Sequence, residues 1–574
     1  MWERWYVNMK VVIVGGVAGG ATAAARIRRL DEQAEIVIFE RSGYMSYANC
    51  GLPYYIGGVI DDPAELTLQT PEGFFARFRV QVKVRHEVTA IRPAEKTVLV
   101  KNLETGEEFA ESYDKLLLSP GAKPTRPNLP GVGLDRLFTL RTVEDTFRIK
   151  AYIQEHHPKS VILAGGGFIG LELAENLRKL GMAVTIVQRP KQLMNPFDPD
   201  MAAFIHGEMR RNGVTLALGH TVEGFVEKDG GLDVLLQGEP PLHADMGVLA
   251  IGVTPDTQLA KDAGLALGIK GSILVNDRME TSLPDIYAVG DAVQVKHYVT
   301  GSDALISLAG PANKQGRIAA DNLCGGNSRY LGSQGSAIVQ VFDLTAATTG
   351  INEGTAKKAG IPVDKVVLSP MNHAGYYPGG RVMTMKVIFA RDTHRLLGAQ
   401  IVGYQGVDKR IDVLATAIHA GLTVTQLKDL DLAYAPPYSS AKDPVNMAGF
   451  LAENVINGLV RQFHVEDVAA LPRDGSVTLL DVRTPGEYSR GHIPGFVNIP
   501  VDELRQRLDE VPPGKPVYVI CQSGVRSYIA ARILAGQGYL CYNFSGGYRF
   551  YAGVTEDRRL VEAATGCGMD KNPA

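Results

Sequence analysis

Along this chain, short apolar runs repeatedly break into glycine or proline and then resume with a different period. The first, "MKVVIVGGVAGGATAAARIRRL", predicts a β-branched strand, a glycine-rich turn and a small-residue helix, and the strand "AEIVIFE" follows and ends at Glu40. A second stretch, "SVILAGGGFIGLELAENLRKLGMAVTIVQR", repeats the order of strand, turn, amphipathic helix and strand. Two more apolar runs, "LLLSPGAKPTRP" and "TSLPDIYAVGDAV", each end in a Gly or Pro turn. Beyond residue 460, strand-like runs at Val477 to Leu480 and Val517 to Ile520 alternate with a helix expected near Arg526. Strands alternating with helices predict α/β units with parallel sheets. No apolar run approaches the roughly 20 residues of a spanning helix.

Length adds domain number: 574 residues exceed one core and imply three to five units of roughly 100 to 200 residues. Lys and Arg total 59 against 62 Asp and Glu, so nothing electrostatic predicts a nucleic-acid partner. The opening "MWERWYVNMK" lacks the apolar core and cleavage site of a secretory leader, so a cytoplasmic protein without a membrane partner is expected. Five scattered cysteines (Cys50, Cys324, Cys521, Cys541, Cys567) argue against a disulfide framework and against a metal site. Those that matter should act as thiols.

The two strand–turn–helix units bring phosphate chemistry. In the first, Gly15, Gly16, Ala18, Gly19 and Gly20 offer backbone N–H groups and a helix start to a pyrophosphate, and Glu40 lies where an acid binds a ribose hydroxyl. Val17 stands where the middle glycine of the fingerprint is usual, and a turn that merely packs a helix on a sheet is the competing reading. The second unit has the complete set, Gly165, Gly167 and Gly170. Its second strand ends in Gln188-Arg189 instead of a carboxylate. Arg189 there pairs a 2′-phosphate, so that NADPH is used beside NADH, or is an ordinary surface arginine.

Together with the S-P-G-A turn at Pro120-Gly121 and the Y-A-V-G-D turn at Gly290-Asp291, these units resemble the two-dinucleotide flavoprotein disulfide reductase family. The resemblance implies FAD on the first unit and the Gly290-Asp291 turn, with the aspartate on the ribityl chain. It also implies a nicotinamide nucleotide, NADH or NADPH, on the middle unit, and a dimerisation domain that makes a homodimer. Within that family, "SYANCGLPYYIGG" is similar to the single-cysteine motif of coenzyme A disulfide reductases and of related NADH oxidases and persulfide reductases. The partner of Cys50 is then a sulfur brought from outside, the thiol of coenzyme A or a sulfane sulfur. The same resemblance implies two tyrosines of the neighbouring subunit beside that thiol, assigned to Tyr376 and Tyr434 with Tyr377 and Tyr438 as alternatives. It places Ser46 and Asn49 along the pantetheine arm of coenzyme A, and Arg26, with Arg28, Arg29 and Lys442, near its phosphates, although a charged helix also reads as a solvated face.

A further double motif, "DVRTPGEYSRGHIPGFVNIP" followed by "CQSGVRS", resembles a single rhodanese domain. Cys521 ends a strand and opens a loop whose N–H groups form an anion-accepting cradle, a setting that stabilises a thiolate or persulfide. Arg526 is expected to close that loop and hold anionic sulfur. Cys324 and Cys541 read as structural, and Cys567 stays open.

The expected architecture is α/β: two Rossmann-like dinucleotide-binding domains, an α+β dimerisation domain and a small α/β rhodanese domain. The boundaries are 9–125 and 251–331 for FAD, 126–250 for NAD(P)H, 332–458 for dimerisation and 459–565 for the rhodanese part. The expected activity is NAD(P)H- and FAD-dependent reduction of coenzyme A persulfide, polysulfide or coenzyme A disulfide through Cys50, coupled to a sulfane-sulfur site at Cys521. An oxygen-reducing NADH oxidase and a non-catalytic sulfane-sulfur carrier or sensor are the alternatives.

Overall fold

Val11, Val12 and Ile13 are wholly buried because they run through a parallel sheet covered on both faces. The computed structural model describes residues 9–567, with side chains to residue 563; the leader reading of the first residues and the side chain of Cys567 fall outside these limits. Strand Lys10–Val14 pairs in parallel with Glu35–Glu40 on one side and Lys115–Leu118 on the other, and Ile286–Ala288 and Gln81–Val84 complete the sheet. Helix Ala18–Leu30 owes its close packing to its small residues. A Cβ on Gly316 of helix Ala309–Leu323 would come within 2.5 Å of the Gly19 carbonyl oxygen, and Thr22 Oγ1 donates to Asn313 Oδ1 at 2.8 Å. A second parallel set places Ser160–Ala164 between Ala183–Gln188 and Met246–Leu249, with Leu137–Thr139 outside the latter and helix Phe168–Lys179 after the turn. All these elements belong to one compact unit, which contains the chain up to Arg189 and His220–Gly335.

The second unit comprises Pro190–Gly219 and the chain from Ser336 onward. Its antiparallel sheet runs in the order Ala337–Val341, Leu344–Gly350, Leu396–Gly403, Thr384–Ala390, Val363–Leu368. Its parallel sheet runs Arg461–Phe463, Cys541–Phe544, Val517–Ile520, Thr478–Asp481, Val497–Asn498. Both sheets match the α+β and α/β character expected of the C-terminal half.

Helix Pro199–Arg211 falls within the 126–250 stretch expected to form the nucleotide module, yet it clusters with the second unit. Buried ion pairs at both of its ends account for this. At the start, Asp198, Asp200 and Glu353 surround the ammonium of Lys386, which is 0% exposed, at 3.2, 2.7 and 2.6 Å. Burial alone would lower the pKa of Lys386, but these three carboxylates outweigh it and hold the value above the ordinary one. The same three acids lie close enough together to hold a cation, and the ammonium fills that role. Toward the other end, His206 and Arg210 meet Asp557 of helix Gly547–Cys567 at 2.9 and 2.6 Å, and Phe204 stacks on Phe550. His206 Nε2 accepts from the Leu193 N–H at 2.9 Å, so its Nδ1 is the nitrogen that donates to Asp557. No helix among the described residues is long and apolar enough to cross a membrane.

Candidate active site

The first strand delivers the chain into a cradle that only glycine fits. Gly15 sits at φ +97°, and a Cβ there would lie 2.1 Å from the Ser119 carbonyl oxygen; a Cβ on Gly20 would lie 1.9 Å from the Gly15 oxygen. Glu40, 8% exposed, accepts from the Gly16 N–H at 2.8 Å and from the Ser42 N–H at 2.9 Å, which fixes the turn against the end of the second strand. Ser119, just before Pro120 and Gly121, donates its N–H to the Val14 carbonyl at 2.8 Å. Gly290 donates to Gln315 Oε1 at 2.7 Å, and Asp291 pairs with Arg141 at 2.7 Å.

The Cys50 loop is tied directly to this cradle. The Ser46 N–H, in a residue held at φ +44°, donates to the Gly16 carbonyl at 2.8 Å, and Ala48 N–H donates to Leu66. Asn49, Cys50 and Gly51 then form a single 3₁₀ turn that leads into helix Leu52–Ile56. Cys50 is exposed and a free thiol. Protein packed around the thiol still withholds enough water to push its pKa up, and the Glu172 carboxylate adds to the rise.

Glu172 comes from the second cradle. Helix Leu52–Ile56 packs against helix Phe168–Lys179 so closely that a Cβ on Gly57 would strike Asn176 Oδ1 at 2.1 Å. Burial and then Glu175 raise the Glu172 carboxyl to about 7, and burial and then Glu172, against which its phenol lies, push Tyr54 up to about 12. In the cradle itself, Gly165 at φ +118° and Gly170 repeat the close contacts of Gly15 and Gly20, while nothing lies within 4 Å of a Cβ on Gly167. Gln188 Oε1 accepts from the Gly166 N–H at 3.0 Å, the counterpart of the Glu40 to Gly16 bond. Arg189 is exposed. Two cradles, each with N–H groups free to face a pyrophosphate, fit two dinucleotides.

Among the expected coenzyme A contacts, Arg26 Nε donates to Asp321 at 2.7 Å, and Lys442 is exposed. Arg28 is 7% exposed and its guanidinium serves five backbone carbonyls, so it is neither solvated nor open to a phosphate. In the second unit, the hydroxyls of Tyr376 and Tyr434 hydrogen-bond each other at 2.7 Å, with 76% and 46% of the residues exposed. That bond pushes the Tyr434 phenol up, so it stays a proton donor.

Cys521 is 0% exposed, at the end of strand Val517–Ile520. Its Sγ accepts from the Gly524 N–H at 3.1 Å and from Ser527 Oγ at 3.2 Å, with Gly524 at φ +101° opening helix Val525–Gly536. Arg526 closes the loop differently from expectation: both terminal nitrogens bind Glu487 at 2.7 Å, and that pairing holds the Glu487 carboxyl down at about 2. Below the loop, the buried Asp481–Arg483 pair places the Arg483 guanidinium 3.8 Å over the Tyr548 ring. Burial raises the Cys541 thiol to about 11, in keeping with a structural role. Arg141, Glu172, Tyr54 and Glu487 are functional residues that sequence reasoning misses; Tyr54, inside the motif around Cys50, and Glu487, the acid of the D-V-R-x-P-x-E motif, carried a signal, and Arg141 and Glu172 did not.

This geometry agrees with what the chain resembles. Residues 9–316 match the pyridine nucleotide-disulphide oxidoreductase model, 336–444 its dimerisation domain, and 464–552 the rhodanese-like domain. The chain therefore belongs to the pyridine nucleotide-disulphide oxidoreductases and is a flavin-dependent enzyme of that class, using FAD and NAD(P)H and carrying a rhodanese domain. Its neighbours include disulfide and persulfide reductases, and also a water-forming NADH oxidase from Lactobacillus brevis, 31% identical with a TM-score of 0.75 over 79% of this chain and 99% of that one. It is 49% identical to reduced CoADR-RHD of Bacillus anthracis, with a TM-score of 0.94 over 97% of this chain and 100% of that one. It is 37% identical to an NAD-dependent persulfide reductase from A. fulgidus, with a TM-score of 0.89 over 95% and 100% of the two chains. A coenzyme A disulfide reductase of Staphylococcus aureus is 38% identical over 445 residues, 77% of this chain and 100% of that protein.

Proposed function

We propose that Cys50 is the redox cysteine of an NAD(P)H-dependent reductase of coenzyme A persulfide, polysulfide and coenzyme A disulfide, and that Cys521 handles sulfane sulfur. One observation carries this reading: a free thiol bonded through Ser46 to the first cradle and packed through helix Leu52–Ile56 on the helix of the second. FAD and the nicotinamide nucleotide supply the two electrons when bound. Gly15 to Gly20, Glu40, Pro120, Gly121, Gly290 and Asp291 would hold FAD, and Gly165 to Gly170 with Gln188 and Arg189 the nicotinamide nucleotide.

The raised thiol pKa means that Cys50 must lose a proton before it attacks a substrate sulfur. Its thiolate then attacks a disulfide of coenzyme A, the substrate S–S bond breaks, and the departing thiolate takes a proton from Tyr376 or Tyr434. Ser46 and Asn49 line the pantetheine arm, and Arg26 and Lys442 favour the phosphates. The tyrosines act from the neighbouring subunit of a homodimer, and the modules follow the boundaries given above except that helix Pro199–Arg211 goes with the second unit. Free thiols suit a reducing cytoplasm.

Cys50→Ser is the test. It leaves both cradles intact, so FAD should stay bound while reduction of coenzyme A disulfide and persulfide disappears, with oxygen consumption under saturating NADH as the control. Wild-type rates in that variant would overturn the assignment.

A further inference from the structure

Helix Pro199–Arg211, the antiparallel sheet and helix Gly547–Cys567 do not close completely on one another. Between them lies a cavity of about 440 Å³, within the range of small-molecule sites. Leu344 and Val402 of the sheet, Phe204 of the first helix and Leu560 of the second give it apolar walls. Gly553 leaves room in the last of these, since a Cβ there would meet only the edge of the Phe204 ring, at 3.5 Å. The charges that line the cavity are all engaged except one. Arg210 is held by Asp557 at 2.6 Å, Arg211 by Glu208 and the Tyr404 hydroxyl, and Glu556 by Arg559 at 2.7 Å. Arg549 is exposed and meets no carboxylate at ion-pair distance among the described residues. One spare guanidinium beside apolar walls matches a ligand with a single negative charge on an alkyl chain, and a carboxylate takes two of its N–H groups at once.

The helix that carries Arg549 also grips the Cys521 loop. The Tyr548 N–H donates to the Cys521 carbonyl at 2.7 Å and the Arg549 N–H to the Gln522 carbonyl at 3.2 Å. Gly547 lies so close that a Cβ on it would stand 2.6 Å from the Gln522 carbonyl carbon. Cys521 is wholly buried, so a sulfur donor reaches its sulfur only after this loop moves. We propose that the cavity is a regulatory site for a medium-chain alkyl carboxylate, whose head pairs with Arg549 and whose tail lies among Phe204, Leu344, Val402 and Leu560. The inference rests on the sulfur-handling role given to Cys521. An occupant that touches both helices and the sheet favours the arrangement in which helix Gly547–Cys567 holds the loop, and it therefore slows the opening that loads Cys521. The carboxylate takes no part in the chemistry, and no covalent bond forms.

The test is isothermal titration calorimetry on the full-length holoenzyme with decanoate, decanol and acetate, below the concentration at which decanoate aggregates. Decanoate should bind saturably, and decanol and acetate at least about tenfold more weakly, since each lacks one half of the match. Arg549→Gln keeps the backbone N–H that serves Gln522, and it should weaken decanoate about tenfold without affecting decanol. Gly553→Leu suits a helix interior and fills the space of the tail, so it should abolish binding. Transfer of sulfur from thiosulfate to cyanide should fall as decanoate saturates the wild type and stay constant in Gly553→Leu. Failure of decanoate to saturate, decanol binding as tightly, or an unaltered decanoate affinity in either variant would overturn the site. An undiminished transfer rate at saturating decanoate would overturn its regulatory role. Absence of cyanide transfer before any ligand is added would instead defeat the reading of Cys521, while the calorimetry still decides the site.

Discussion

Cys50 and Cys521 sit in opposite surroundings, and the difference sets what each thiol can do. Cys521 is buried with two donors aimed at its sulfur, while Cys50 is exposed with its pKa pushed up by desolvation and by Glu172. In Glu172→Gln the midpoint of Cys50 alkylation in the reduced enzyme should therefore move to lower pH; an unmoved midpoint would show that Glu172 does not act on the thiol. The sign for stability follows from the Glu172 carboxyl being raised from 4.5 to about 7. Between those values the folded protein binds more protons than the unfolded chain, so wild type loses stability as pH rises through the window, by at most about 3 kcal/mol. The glutamine variant lacks that loss, which thermal midpoints at pH 5 and pH 8 will reveal. At this scale the sequence made Cys50 and Cys521 visible because their loops carry tight local patterns. Glu172 and Arg141 stayed hidden because their partners lie more than a hundred residues away, and no local spacing encodes such a meeting.

Glycine positions act through the elements they join, and the two kinds seen here should respond differently. Gly15 is left-handed and touches Ser119, so Gly15→Ala should destabilise the first sheet by about 2–4 kcal/mol and yield protein depleted of FAD. Gly167 has φ −90° and open space beyond it, so Gly167→Ala should fold with normal FAD content but raise the KM for the nicotinamide nucleotide. Flavin absorbance and steady-state kinetics separate the two outcomes, and loss of FAD in Gly167→Ala would contradict the assignment of cradles. Gln188 shows what periodicity leaves out. Its strand was predictable, but its bond to the Gly166 N–H, the same job that Glu40 performs, appears only in the fold. With Gln188 so engaged and Arg189 exposed, NADPH should be used within about tenfold of NADH; a preference of several hundredfold for NADH would mean that Arg189 never meets the 2′-phosphate.

Across the molecule, the α/β pattern of both nucleotide units and of the C-terminal domain was legible, since alternating strands and helices leave a period in the sequence. The allegiance of helix Pro199–Arg211 was not, because an amphipathic helix shows the same stripe whichever neighbour covers it. Its ion pairs reveal the neighbour. Asp557→Ala removes the carboxylate that both His206 and Arg210 meet, and should lower stability by up to about 3–5 kcal/mol. Differential scanning calorimetry and protease nicking of helix Gly547–Cys567 would register the loosening; an unchanged transition would show that the pair contributes nothing. The same helix decides how freely these domains can be recombined. A gene trimmed at residue 458 would uncover Phe204, His206 and Arg210, which are matched to Phe550 and Asp557. A sulfur domain grafted onto another reductase would in turn present Phe550 and Asp557 to a surface never shaped for them. The C-terminal fifth is thus no detachable cassette, and a transplant succeeds only where the recipient's equivalent of helix Pro199–Arg211 is rewritten with it.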